Sequence, residues 1–88
     1  MKYLIAYDIS SPKRLRLVSK VLLRFGLRLE KSVFECELDA RQASMLRQEL
    51  FNVSHLDDTI LMYHLARGTQ CHVIRDHGLT PASDGCYI

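Results

Sequence analysis

The sequence predicts an α+β domain in which four strands and two helices follow one another as βαββαβ, and three observations carry that prediction. Lys2 to Tyr7 is a β-branched and aromatic run without a breaker, the profile of a strand buried on both faces in mid-sheet. Two segments, one after Ser10-Ser11-Pro12 and one after Asp39, repeat apolar residues at helical spacing. Leu27 to Leu38 alternates in two short pieces, and Thr59 to Leu65 supplies the last strand of the order. With 48% hydrophobic and 25% charged residues, the chain has the composition of a folded protein rather than a disordered one. Its 88 residues make one domain, expected over residues 1–75 and followed by a flexible tail over 76–88, where Gly78, Pro81, Ser83 and Gly85 gather.

Each element has its own local cause. The first strand runs directly into Asp8 and then into Ser10-Ser11-Pro12, where either serine can cap a helix and Pro12 suits its first position. Leu15, Val18, Val21, Leu22 and Phe25 form the apolar stripe of that helix, and Gly26 is expected to end it in a left-handed conformation. Leu27 to Glu30 and Val33 to Leu38 are expected as a hairpin or one long bent strand, with Phe34, Cys36 and Leu38 on one face and Val33, Glu35 and Glu37 on the other. Asp39 caps the second helix, and Gln42 three residues on completes a capping box. Ala43, Leu46, Leu50 and Val53 are its buried stripe, and Asn52 to Asp58 leads through a polar loop to Thr59. Gly68 punctuates a linker before Cys71 to Ile74, a short fifth strand expected at an edge, where it is free to pair with a partner's sheet.

This order is the split βαβ, or ferredoxin-like, arrangement. It puts both helices on one face of the sheet and leaves the other bare. A chain this short buries only about 60 to 65 per cent of its unfolded surface, so a homodimer packed on the bare face is expected.

Charge is distributed unevenly. Residues 1–31 carry eight Lys and Arg against two acids, a balance of +6, whereas residues 32–88 carry four against eight, a balance of −4, which together give the net +2. The first helix shows Lys13, Arg14, Arg16, Lys20 and Arg24 with no acid among them. A solvated helix face usually mixes signs, so this row points to a nucleic-acid backbone as partner. No apolar run approaches the roughly 20 residues of a membrane span, and a cytosolic protein is expected. Three cysteines without CxxC spacing, Cys36, Cys71 and Cys86, argue against a disulfide framework, and His55, His64, His72 and His77 show no paired metal spacing.

Asp8 is the residue on which function turns. At the end of a strand before Ser-Ser-Pro it is either a turn former or a reactive carboxylate delivered to the sheet's carboxyl end. One carboxylate per chain suffices for Mg²⁺ only with help from water, substrate phosphate or a second carboxylate, which two copies of Asp8 in a two-fold dimer would provide. Arg14, Arg16 and Arg28 offer planar forks to phosphate oxygens; alternatively they are solvated, or Arg28 pairs with Glu30 or Glu35. Tyr7 and Phe34 are core or dimer-face aromatics, with base stacking on Phe34 as the functional alternative. A regulatory dimer with a small ligand would leave the basic helix unexplained.

Taken together, Tyr7-Asp8-Ile9, the basic helix, Gly26-Leu27-Arg28-Leu29 and Lys31-Ser32-Val33-Phe34-Glu35-Cys36-Glu37-Leu38 resemble the CRISPR-associated protein two family. The resemblance is dense from Tyr3 to Leu38, holds at the level of fold to Leu65, and includes no motif after Ile74. It implies a ferredoxin-like homodimer whose carboxyl-terminal strand joins the other protomer's sheet, with Asp8 at the interface binding Mg²⁺ together with its symmetry mate. It implies a metal-dependent endonuclease on RNA or double-stranded DNA, or else a non-catalytic scaffold that bridges copies of the adaptation integrase during spacer acquisition. Arg14 and Arg16 match the family's basic residues on the first helix, and Arg28 and Phe34 its later arginine and aromatic. Glu30 departs from the pattern, standing where the family often has Gln and adding an acid beside the basic strand.

Overall fold

The computed structural model describes residues 1–75 and 78–81. Its element order is β1 (Lys2–Asp8), α1 (Pro12–Phe25), β2 (Gly26–Glu30), β3 (Val33–Glu37), α2 (Ala40–Val53), β4 (Thr59–Leu65), β5 (His72–Arg75) and β6 (Gly78–Pro81). The first six elements are the predicted βαββαβ. β1 lies inside a four-stranded sheet of order β2-β3-β1-β4, antiparallel to β3 over Lys2 to Ala6 and to β4 over Lys2 to Asp8.

The helix ends follow from their side chains. Ser11 caps α1 by accepting the Arg14 N–H at 3.3 Å, and Pro12 takes the first turn. Asp39 and Gln42 form the reciprocal capping box on α2, at 2.7 and 3.0 Å. The inner face of the sheet, with Tyr3, Ile5, Tyr7, Phe34 and Cys36, packs against Val18, Val21 and Leu22 of α1 and Ala43, Leu46 and Leu50 of α2. Ile60 and Met62 of β4 close this core from its edge.

The outer face is bare, as the fold order predicts. Leu4 and Ala6 of β1 stand in register with Tyr63 and Leu61 of β4, and those two are about half exposed. Glu35 sits in the middle of this face, buried although charged, with Lys2 Nζ at 3.9 Å.

Two features differ from the sequence reading, and a third decides between the hairpin and the single bent strand it left open. Gly26 is not a left-handed stop: its φ of −167° and ψ of −160° are extended, and its N–H still closes α1 by donating to the Leu22 carbonyl. Glycine is needed there for room, because a Cβ would lie 2.3 Å from the Glu35 carbonyl oxygen and 2.5 Å from Cys36 Sγ. Leu15, expected in the buried stripe of α1, is 39% exposed and lines an open depression beside Tyr7, Asp8 and Ile9. The strands β2 and β3 are a hairpin, with Lys31 and Ser32 at its turn and a bulge between Arg28 and Glu30.

β5 falls where a short fifth strand is expected, one residue later, and it forms its own two-stranded sheet with β6. Gly78–Pro81 of the expected tail is therefore strand; the rest of that tail lies outside the described residues. Gly68, at φ +85°, makes the turn before β5.

Candidate nucleic-acid interface

At the carboxyl end of β1 the surface opens into a depression of about 590 Å³ lined by Tyr7, Asp8, Ile9, Leu15, Arg16, Ser19, Arg28, Lys31 and Ser32. Four of the predicted site residues, Tyr7, Asp8, Arg16 and Arg28, meet here, although 21 positions separate the first from the last in the chain. Asp8 is exposed. It shares the parity of Leu4 and Ala6 along β1, so it leaves the strand on the bare face.

The depression is held from below. Tyr7, only 6% exposed, donates its phenol O–H to the Lys31 carbonyl at 3.0 Å, while its backbone N–H donates to the Ser32 carbonyl at 3.0 Å. The hairpin turn carrying Lys31 is thereby fastened to the strand carrying Asp8. Arg28 crosses the top of the core with its guanidinium 5.1 Å from the Phe34 ring centre, a cation–π contact. It donates to the Ser19 hydroxyl and to the Lys31 carbonyl. Five N–H donors in a fixed fork leave Arg28 able to take a phosphate oxygen while these contacts hold.

Phe34 is fully buried. A base therefore has no face of that ring to stack on, and its role is to seat Arg28 and fill the core. Tyr7 is likewise a core aromatic, stacked at 6.3 Å on Phe34.

Arg14 is not at the site. It forms a two-pronged ion pair with Asp58, Nε to Oδ2 at 2.8 Å and one terminal nitrogen to Oδ1 at 3.2 Å. The Asp58 side chain is fully buried and also accepts the His55 N–H at 2.9 Å. The hydrogen bond from Arg14 holds the Asp58 carboxyl below its ordinary range and, reciprocally, raises Arg14. Asp58 immediately precedes Thr59, which stands opposite Asp8 in the sheet. The pair thus ties the start of α1 to the strand end beside Asp8.

The lining residues that the sequence did not assign to the site include Leu15, Ser19 and Lys31. Lys31 carried a signal in the eight-to-two charge balance of the first 31 residues; the spacing of Leu15 pointed to the core instead, and Ser19 carried none. As a metal donor, Asp8 has the hard carboxylate oxygen that Mg²⁺ takes. Among the described residues no three His, Cys, Asp or Glu side chains cluster, so Asp8 would give such an ion one ligand, with the others coming from water, substrate phosphate or another carboxylate. Cys36, on the inner face of β3, is unsuited to metal or redox work, because burial pushes its thiol up to about 11.

Fold and site place the chain among ferredoxin-like domains that carry an acid at the end of a central strand beside a cationic helix. The family described as CRISPR associated protein Cas2 matches residues 1–72. A Chloroflexus aurantiacus protein named CRISPR-associated endoribonuclease Cas2 1 is 35% identical, the alignment covering all of this chain and 99% of that protein. A Halalkalibacterium halodurans protein named CRISPR-associated endonuclease Cas2 is 34% identical over 96% of this chain and 93% of its own. The crystal structure of Streptococcus pyogenes Cas2 superposes with a TM-score of 0.72 at 31% identity, covering 77% of this chain and 89% of that one. A hypothetical protein from Thermus thermophilus superposes at 0.77 and 33% identity, covering 84% and 89%. The chain belongs to the Cas2 family of CRISPR-associated proteins.

Proposed function

We propose that this chain works as a homodimer, a Mg²⁺-dependent endonuclease on RNA or duplex DNA that partners the adaptation integrase in spacer acquisition in the cytosol. The observation that carries the reading is the meeting of Asp8, Arg16, Arg28 and Lys31 around one open depression. Homologues named as endoribonucleases and as an endonuclease support the reaction class.

The dimer is supported by the bare apolar face, where Leu61 and Tyr63 stand about half exposed beside Leu4 and Ala6. Such an area on so small a domain calls for a cover. Asp8 leaves β1 on that same side, so pairing two copies through it brings two carboxylates toward one place. A bound Mg²⁺ would supply a water of lowered pKa and charge stabilisation at the phosphate. Asp8 would hold the ion, Arg16 and Lys31 would neutralise the backbone, and Arg28 would fix one phosphate in orientation. No helix of the described residues is long and apolar enough to cross a membrane.

A second reading, favoured by the exposed cations Arg16, Arg28 and Lys31, which hold a backbone without needing a metal, is a non-catalytic scaffold in which the same cationic surface supports DNA between integrase dimers. Cleavage of RNA and duplex DNA by wild type and Asp8→Asn, with Mg²⁺ and with Mn²⁺ at several pH values, separates the two. The nuclease reading expects wild-type cutting that Asp8→Asn abolishes while binding is kept. A wild type that binds and never cuts leaves the scaffold.

A further inference from the structure

Arg16 lines the depression at Asp8, and Arg14, two positions before it on α1, does not. The Arg14 fork is taken up by Asp58, whose side chain is fully buried and accepts three N–H groups: Nε and one terminal nitrogen of Arg14, at 2.8 and 3.2 Å, and the His55 backbone, at 2.9 Å. The Asp58 N–H in turn donates to the His55 carbonyl at 2.9 Å, so the entry to β4 is folded into a turn around this one carboxylate. A carboxylate buried in this way depends on its cation, because removing one partner leaves a charge without compensation. The pair is a fixed joint, unlike an exposed ion pair whose two side chains drift apart in water.

Asp8 hangs on that joint. β3 pairs with β1 only as far as Ala6, so at Asp8 the ladder continues to Thr59 of β4 alone. Thr59 follows Asp58 directly, and on the other side Ile9-Ser10-Ser11 leads from Asp8 into the first turn of α1, which holds Arg14. The chain thus closes a ring about the acid: from Asp8 to Arg14, across the ion pair to Asp58, on to Thr59 and across the ladder back to Asp8. Arg16 enters the depression from the same end of α1, so the ring also sets where that cation stands relative to the carboxylate.

We infer that Arg14 and Asp58 are positioning residues: they touch neither metal nor nucleic acid, and they hold the Asp8 carboxylate and Arg16 in the relative places from which an ion and a phosphate are taken. This rests on the reading of Asp8 as a metal ligand above. It gives Arg14 a different task from that of Arg16, although the two look alike on the helix. With the joint broken, the end of β1 is no longer fixed in advance, and the ion has to order it. Ordering the backbone of one residue costs about 5- to 30-fold in affinity.

The test compares the full chain as wild type, Arg14→Gln, Asp58→Asn and the double variant, in which the neutral pair leaves no buried charge without a partner. Hydrogen exchange of the metal-free proteins is expected to speed up over residues 7–9 and 58–60 in every variant, while the capping box of Asp39 and Gln42 keeps its protection. Mn²⁺ affinity, followed by electron paramagnetic resonance, is expected to fall by about 5- to 30-fold with the number of ions per chain unchanged. The double variant should lose no more than the single ones, since all three break one joint. Binding to a 20-base-pair DNA duplex should keep its salt dependence in Arg14→Gln, whereas loss of a phosphate contact would flatten the log–log slope by about 0.9. Unchanged exchange and unchanged Mn²⁺ affinity in the double variant overturn the positioning role and leave Asp8 standing as a ligand. A slope flattened in Arg14→Gln and not in Asp58→Asn overturns it too, and returns Arg14 to the nucleic-acid backbone. A wild type that takes up no Mn²⁺ overturns the metal reading of Asp8 and this inference with it.

Discussion

Gly26→Ala reports on how β2, and with it Arg28, is seated against the core. The backbone at Gly26 is extended and open to any residue, so on conformational grounds alone alanine should stabilise the fold by about 0.4–1 kcal/mol through the unfolded chain. Space predicts the opposite sign. The new Cβ would stand 2.3 Å from the Glu35 carbonyl oxygen and 3.0 Å from Cys36 Cα, against ordinary contact from 3.4 Å. Both neighbours are backbone atoms, so no rotamer relieves the clash and β2 must retreat by about 1 Å, the difference between 3.4 and 2.3. Overpacking of this kind costs about 1–3 kcal/mol, and each weakened ladder hydrogen bond adds about 1 kcal/mol. A loss of roughly 2–4 kcal/mol follows, from a total of about 4–13 for a chain of this length. At about 4–8 °C per kcal/mol, Tm should fall by roughly 8–32 °C, measured by thermal circular dichroism. Gly26→Asn sharpens the test, since asparagine tolerates a left-handed cap but not a missing cavity, and should be at least as damaging. A Gly26→Ala protein as stable as wild type, or a Gly26→Asn protein milder than Gly26→Ala, would refute the close-approach argument.

Other outcomes follow from the same geometry. Phe34→Ala empties a fully buried site and should cost about 3–5 kcal/mol in chemical denaturation, whereas Phe34→Leu keeps most of the volume and should weaken nucleic-acid affinity only through Arg28, whose guanidinium loses the ring it rests on; a further loss of affinity from Phe34→Leu in an Arg28→Gln background would restore a stacking role. Arg14→Ala should lower Tm without changing the salt slope of binding, because its guanidinium is engaged by Asp58. For pH, the Asp58 carboxyl is held below its ordinary value near 3.8, chiefly by the hydrogen bond from Arg14. Its stabilisation is therefore full above that value and disappears as pH falls through the lowered one. Tm of wild type should exceed that of Asp58→Asn at pH 7, and the gap should close below pH 4. Cys36, with its thiol pushed up to about 11, should resist iodoacetamide in the native protein at pH 8 while the less buried Cys71 reacts, as read by mass spectrometry.

Much of the fold was written locally. The strand from Thr59 to Leu65, the capping box of Asp39 with Gln42, and the Ser11-Pro12 start of α1 each depend on residues at most six positions from one another, and the structure has them as the sequence predicts. What depended on distant partners was not legible. Arg14 looks like its neighbour Arg16 in the sequence, and only the fold brings Asp58, 44 residues away, to one of them and not the other. Gly26 was recognised as a required glycine for the wrong reason, since a helix stop is a local signal and the approach of β3 is not. Leu15 fits the helical stripe but stands in the first turn of α1, facing the open depression at Asp8. Residues 78–81 carry Gly and Pro like a loop, yet pair with β5, because hydrogen bonding to a neighbouring strand can override weak propensity. Of the site, Asp8, Arg16 and Arg28 were legible, whereas Lys31 gained its place from the Tyr7 hydroxyl that fastens its turn.

The central claim is that Asp8 is half of a metal site shared by two copies of the chain. Titration of Mn²⁺ into the purified protein, followed by electron paramagnetic resonance or calorimetry, counts the ions directly. A site shared between two Asp8 carboxylates takes up one ion per two chains, lost in Asp8→Asn, with the dimer intact by sedimentation. One ion per single chain, or binding that persists in Asp8→Asn, would contradict it.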